Sequence, residues 1–196
     1  MDCYFSADVE TDGPIPGPFS ILSFALVYVG RFDGAVFKKS QNLDVTFYRE
    51  LKPISDQFEA EALRVNGLDR DLLVKVGAPP EIAMTEAAHW IETIAGEDRP
   101  VLLAYPLSFD WSWLYWYFTR FSEIGSPFGH SRCFDIKTAI AVKDHLPIAR
   151  SGLNQIPKSY RSEREHSHNA LDDAIEQAEI FLKVFGSGTA NGGNPK

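Results

Sequence analysis

A β-prone apolar run from Cys3 stops on two acids, Asp8 and Glu10, and Thr11-Asp12-Gly13-Pro14-Ile15-Pro16-Gly17-Pro18 follows at once. That stretch can be neither helix nor central strand, because proline lacks the ladder donor and fixes its own φ. The strand must end there, with its carboxylates at the end. Two later segments are built alike. Asp110 opens a helix soon after the compact apolar run Val101–Tyr105, and His168 and Asp173 lie at the start of the final helical segment. Each acid sits where an apolar run stops or a helix begins, so a single fold can bring all five side chains together.

Between these points the elements alternate in type. Cys3–Asp8 and Ile21–Val29 read as strands, with Gly30-Arg31-Phe32-Asp33-Gly34 as a turn, and Val45–Leu51 alternates as a third strand would. Ser55 can cap a helix through Asn66, with Gly67 as its stop. Pro79-Pro80-Glu81 opens another, carrying Ile82, Ala83, Ala87, Trp90, Ile91 and Ile94 on one face and ending at Gly96. Val101–Tyr105 is a strand, and Ser108 caps a helix to about Phe121. Phe134–Val142 is a strand end with a short helix, and Asn169–Phe185 is the final helix. The sequence therefore predicts an α/β fold. Three antiparallel strands lead a mixed sheet, parallel strands follow, and helices flank them. Residues 1–185 form one domain, and the Gly/Asn/Ser-rich stretch 186–196 is expected to be a disordered tail.

A chain of 196 residues and 22.0 kDa is large enough for one substantial core. It has no basic region followed by an apolar core at its start and no stretch long enough to span a membrane. Cys3 and Cys133 lie far apart without zinc spacing, which points to reduced thiols and a cytoplasmic protein. The net charge of −8 argues against broad, tight binding to duplex nucleic acid. It leaves room for a nuclease whose metal offsets the acids locally. Basic residues gather between Ala149 and Ser167, where Arg161 and Arg164 either steer phosphates or simply face solvent.

Clustered carboxylates suit Mg²⁺ or Mn²⁺, which are hard cations that prefer oxygen. Two ions about 3.5–4 Å apart can activate a water and stabilise the departing oxygen of a phosphodiester. Asp8 and Glu10 share a face if their strand extends that far, since side chains repeat every two residues. Asp172 competes with Asp173, but neighbours on a helix point about 100° apart and both cannot face one site. The spacing favours Asp173. His168, on a polar loop before the helix, suits a base that takes the proton from the water. The set reads as a two-metal nuclease.

Three segments also resemble the motifs of the DEDDh exonuclease family: Phe5-Ser6-Ala7-Asp8-Val9-Glu10-Thr11, Tyr105-Pro106-Leu107-Ser108-Phe109-Asp110-Trp111, and His168-Asn169-Ala170-Leu171-Asp172-Asp173-Ala174. The resemblance covers about residues 3–185. It implies a ribonuclease H-like fold and two divalent ions, Mg²⁺ or Mn²⁺. It further implies 3′→5′ hydrolysis of single-stranded RNA or DNA with release of nucleoside 5′-monophosphates. Asp8, Glu10 and Asp173 would hold the ion carrying the water. Asp8 would bridge to a second ion supported by Asp110, and His168 would be the base. Four residues separate His168 from Asp173, as in the branch whose base is histidine. Thr11, Phe109, His166, Arg161 and Arg164 are the expected substrate contacts, and the run Gly13–Pro18 is expected beside the 3′-terminal nucleotide. Pro106-Leu107-Ser108 departs from the polar residue many relatives place there. A catalytically weak binding module and a ribonuclease H-type endonuclease are the competing readings. The choice between RNA and DNA stays open.

The helix after Asp110 carries Trp111, Trp113, Tyr115, Trp116, Tyr117, Phe118 and Phe121, aromatic on every face. One face can pack on the sheet, so the rest points to a homodimer interface, with stacking on unpaired bases as the alternative.

Overall fold

The computed structural model describes residues 1–164 and 167–186. Among these, β1 (Asp2–Thr11), β2 (Ile21–Phe32), β3 (Phe37–Lys39), β4 (Thr46–Glu50), β5 (Arg99–Ala104) and β6 (Cys133–Asp135) build one six-stranded sheet. Its order is β3-β2-β1-β5-β6, with β4 also pairing β2. β2 runs antiparallel to β1, β3 and β4, whereas β5 runs parallel to both β1 and β6. The mixed sheet is the one expected, with a short fourth leading strand added. The helices are α1 (Ala60–Asn66), α2 (Arg70–Val76), α3 (Pro80–Ala95), α4 (Leu107–Phe121), α5 (Ile136–Lys143) and α6 (Ala170–Gly186), with a 3₁₀ turn at Ile148–Arg150. Gly186 thus closes α6, and the rest of the expected tail, 187–196, lies outside the described residues. No described helix is long and apolar enough to cross a membrane.

β1 lies in the middle of the sheet and divides the core by its period of two. Cys3, Phe5, Ala7 and Val9 pack toward α3 and α4, against Ala87, Ile91, Trp113 and Tyr117. Tyr4 points the other way and stacks on Phe181 of α6 at 5.3 Å. The even positions therefore face α6, which puts Asp8 and Glu10 on the α6 side. β2 does not turn at Gly30 as expected. Tyr4 pairs with Gly30 and Phe5 with Tyr28, so Val29 is bulged and the strand continues to Phe32. Gly30 has φ 152°, and a Cβ there would lie 2.5 Å from the Lys38 carbonyl oxygen. The chain reverses later, where the Asp33 carboxylate accepts the amides of Ala35 and Val36 at 2.9 and 2.7 Å.

The helices correct several expected boundaries. Ser55 does not cap α1. Its hydroxyl donates to the Pro18 carbonyl and accepts the Gln57 amide at 3.2 Å, and the helix begins only at Ala60. Gly67 stops it in the left-handed conformation, as expected, and none of its residues is buried. α2 has no counterpart in the sequence reading. Asp69 caps it through the Leu72 amide at 3.0 Å, but a seven-residue helix burying only Leu73 leaves no readable period. On α3 the expected face holds for Ala83, Ala87, Trp90, Ile91 and Ile94, with Met84 and Ala88 buried beside them, whereas Ile82 is 55% exposed. Ser108 does not cap α4 either. The Leu107 amide donates to Asp135 at 2.9 Å, and the same carboxylate takes the Thr138 amide at 3.0 Å to start α5.

The aromatic surplus of α4 is largely absorbed within the chain. Trp113, Leu114, Tyr117 and Phe118 are buried. Trp111, Trp116 and Phe121 rest partly against the same core. Trp111 stacks on Tyr115 at 5.3 Å with planes 9° apart, and Trp116 meets Phe121 edge-on at 5.7 Å. Much of the aromatic surface expected at a subunit interface thus packs within the chain, while Trp111, Tyr115, Trp116 and Phe121 stay partly accessible. Phe109 stands out at 40% exposure, and it lies at the cleft described next.

Candidate active site

Asp8 and Glu10 from the end of β1, Asp110 from the first turn of α4, His168, and Asp173 from the first turn of α6 line one cleft of about 430 Å³. Ligand atoms of Glu10, His168 and Asp173 all lie within 4.8 Å of one another. Asp8 and Asp110 share the cleft without belonging to that tight trio.

Local chemistry sets each side chain. Asn169 opens α6, its side-chain oxygen accepting the amides of Leu171 and Asp172 at 3.1 and 3.4 Å. The helix then turns Asp173 inward, 2% exposed, and leaves Asp172 at the surface. That settles which of the adjacent acids faces the site. One Asp173 oxygen accepts the Ser167 amide at 3.2 Å. His168, exposed, has φ 52°, a left-handed backbone that histidine adopts more readily than most residues and that recurs at functional sites. Asp110 accepts the Val9 amide at 3.1 Å, so the strand carrying the first acids also fastens the third. Asp8 accepts the Gln177 side-chain amide at 2.8 Å.

Burial and the charges of neighbouring carboxylates raise Asp8, Glu10 and Asp110 above the usual carboxylate range. Burial above all raises Asp8 well beyond the usual carboxylate range; the charges of Asp110, Glu10 and Asp173 add to it, and the Gln177 donor opposes them. Glu10 is pushed up to about 8, first by burial and then by Asp173 and Asp110. Asp110 rises to about 7, mainly through burial, despite main-chain hydrogen bonds from Val9 and its own amide. Packed carboxyls that cannot all ionise alone form a ready oxygen-rich seat for a hard divalent cation, whose charge would release their protons. The donor set fits that group.

The expected substrate residues fall into three places. Thr11 is buried and its hydroxyl donates to the Gly13 carbonyl at 2.9 Å. It lines a second groove of about 360 Å³, between Gly13-Pro14 and the α1 residues Ala62, Val65 and Asn66. This groove shares Val9, Glu10 and Phe109 with the acidic cleft, and of the Pro/Gly run Gly13 and Pro14 line it. Two bonds tie α1 to that run: Asn66 donates to the Thr11 carbonyl at 3.0 Å, and the Glu59 amide to the Asp12 carbonyl at 2.8 Å. Asp12, fully buried, also pairs with Arg70 at 3.0 Å. Arg161 and Arg164 are engaged elsewhere. Arg161 donates to the carbonyls of Ile156 and Asn154 at 3.1 and 2.7 Å, and Arg164 pairs with Glu179 at 3.0 Å. Both line a smaller cleft of about 220 Å³ that meets the acidic one at Leu153 and Glu176. His166 lies outside the described residues. The sequence reading missed Gln177 and Glu176, although their offsets of four and three from Asp173 put them on the same helix face.

Residues 5–185 match the family described as the 3′-5′ exoribonuclease Rv2179c-like domain. The chain is 35% identical over 184 residues to the 3′-5′ DNA exonuclease Cap18 of Escherichia coli, an overlap of 93% of this chain and 91% of that protein. Its backbone is similar to the nuclease domain of 3′hExo, a DEDDh family member solved with rAMP. The TM-score there is 0.68 at 16% identity, over all of this chain and 96% of that one. It is also similar to E. coli exonuclease I solved with a dT13 oligonucleotide, at TM-score 0.66 and 16% identity. There the match takes 93% of this chain but only 41% of the exonuclease I chain. At such identities the structural likeness speaks for the fold, and the fold is that of ribonuclease H-like exonucleases.

Proposed function

The chain belongs to the 3′-5′ exoribonuclease Rv2179c-like domain family, and on that premise we propose that it removes nucleoside 5′-monophosphates from the 3′ end of single-stranded RNA or DNA with two Mg²⁺ or Mn²⁺ ions. The observation that carries this reading is the meeting of Glu10, His168 and Asp173 within 4.8 Å in a cleft that Asp8 and Asp110 also line. Asp8, Glu10 and Asp173 would hold one ion, and Asp8 with Asp110 the other. Bound ions supply a water of lowered pKa and neutralise charge on the leaving oxygen.

The chain's own residues do the rest. His168 accepts the proton of the attacking water, and its exposed, left-handed position leaves it room to approach. Asp110 accepts the Val9 amide, which holds its carboxylate at the cleft it lines. Phe109 and the Gly13-Pro14 wall bound the groove beside Glu10, where the 3′-terminal base and sugar would sit. That groove meets the acidic cleft at Val9, Glu10 and Phe109. We place the protein in the cytoplasm, because its thiols Cys3 and Cys133 are free. A pure binding module has no use for carboxylates that repel phosphate, so the intact acidic set favours catalysis.

Relatives are described for both sugars, an exoribonuclease domain and a DNA exonuclease. The test is therefore digestion of 5′-labelled single-stranded RNA and DNA with Mn²⁺, resolved to single nucleotides, beside a circular single strand. A ladder shortening from the 3′ end, an intact circle and an inert Asp8→Ala protein are expected. Cleavage of the circle, or an Asp8→Ala protein as active as wild type, overturns the assignment.

A further inference from the structure

We propose that Gln177 is a positioning residue for the metal site, holding the Asp8 carboxylate in one orientation through an amide that the fold itself cannot flip. The inference rests on the two-ion reading above and adds a residue to it. Gln177 lies on α6 four residues after Asp173, is 4% exposed, and reaches across to the end of β1. Its side-chain oxygen accepts the Tyr105 main-chain amide at 2.7 Å, and its side-chain nitrogen donates to Asp8 Oδ1 at 2.8 Å.

The first bond dictates the second. Tyr105 N–H is a buried donor just past the end of β5, and a buried main-chain donor left without an acceptor is costly. Only the oxygen of the Gln177 amide can accept it, so the NH₂ group must face Asp8. The side chain reads as a fixed donor rather than a rotating one. Asp8 Oδ1 thus has a fixed partner within a residue that lines the cleft. A ligating carboxylate that is itself hydrogen-bonded is a pre-oriented ligand, and losing such a partner typically weakens metal affinity 10–100-fold, on the order seen for outer-shell substitutions. The same side chain joins three elements that carry the site, β1, the end of β5 and α6, so it also fixes Asp8 relative to Asp173.

A neutral amide suits this position. A lysine would bring a positive charge against the incoming cation, and a glutamate would add a further negative charge to acids that already repel one another.

The test compares wild type with Gln177→Leu and Gln177→Met in the full chain. Each is titrated with Mn²⁺ alone by calorimetry, and each is melted with and without saturating Mn²⁺. Wild type should bind Mn²⁺ and melt higher with it; if it does neither, the metal reading itself fails. With wild type binding, the variants should show a Mn²⁺ dissociation constant raised about tenfold or more and a smaller Mn²⁺-induced rise in melting temperature. Their kcat at limiting Mn²⁺ should fall and recover as Mn²⁺ is raised, with KM for oligonucleotide unchanged. A merely structural role lowers the metal-free and metal-bound melts together and leaves Mn²⁺ affinity as in wild type. That result overturns the proposal. Methionine fills the same volume with an adaptable chain, so the measurement survives if the branched leucine prevents folding.

Discussion

Removing divalent metal and raising the pH should destabilise this protein, against the common trend for carboxylates. Glu10 at about 8 and Asp110 at about 7 keep protons in the folded chain that an unfolded chain, with ordinary carboxyls, has released by about pH 5. Between pH 5.5 and 7.5 the folded state therefore binds more protons than the unfolded state. Stability must fall as pH rises, because its slope follows the protons bound unfolded minus those bound folded. One retained proton gives about 1.4 kcal/mol per pH unit and two give about 2.7. Over the two-unit window the loss is about 3–5 kcal/mol, a large share of a typical domain's total. At about 2–4 °C per kcal/mol for a chain of this size, the melting temperature should drop by about 6–20 °C.

The assay is a calorimetric melt in chelator at pH 5.5 and 7.5, for wild type and Glu10→Gln, which removes the ionising group and lets histidines elsewhere cancel. The variant should lose distinctly less stability than wild type across the window. Saturating Mn²⁺ should flatten or reverse the wild-type trend, since the cation takes the place of the protons. Parallel curves for the two proteins in chelator would refute the reasoning, because Glu10 would then be ionised and at ease without metal.

Other expectations can be checked separately. His168→Gln should lower kcat by about 10²–10⁴-fold while the metal-free melt stays near wild type, because the residue is exposed; single-turnover hydrolysis measures it. Phe109→Ala should raise KM for oligonucleotides by about 5–150-fold with a smaller change in kcat, the range expected if one base stacks on that ring, as steady-state kinetics would show. Arg70→Met strips the partner from a fully buried Asp12 and should cost about 3–5 kcal/mol by urea unfolding.

The sheet and the acids were legible in the sequence because both follow simple periods. Two-residue alternation put Asp8 and Glu10 on one face, and the 100° step of a helix separated Asp173 from Asp172. What escaped depended on partners far along the chain. Ser55 and Ser108 have the chemistry of helix caps, yet Ser55 is held by Pro18 and the start of α4 is capped by Asp135, 28 residues away. Arg161 and Arg164 belong to a stretch whose basic excess pointed either to phosphate steering or to solvent, whereas main-chain carbonyls and Glu179 engage them in the fold. Gln177 carries no charge and belongs to no motif spacing. It becomes visible only when Tyr105 and Asp8 are seen at its two ends.

The helix α1 walls the groove beside Glu10 while burying none of its residues. Two hydrogen bonds fasten it to the strand end, and the core would not notice its inner surface changing. The acids of the cleft are welded into the sheet and the helices beside it, where nearly any substitution is felt. On the proposed function, the groove wall is thereby separated from the acids: Ala62 and Val65 can be exchanged to widen, narrow or recharge the groove at little cost in stability. On that reading, relatives with the same five cleft residues would serve different strands by redrawing a single helix of about two turns.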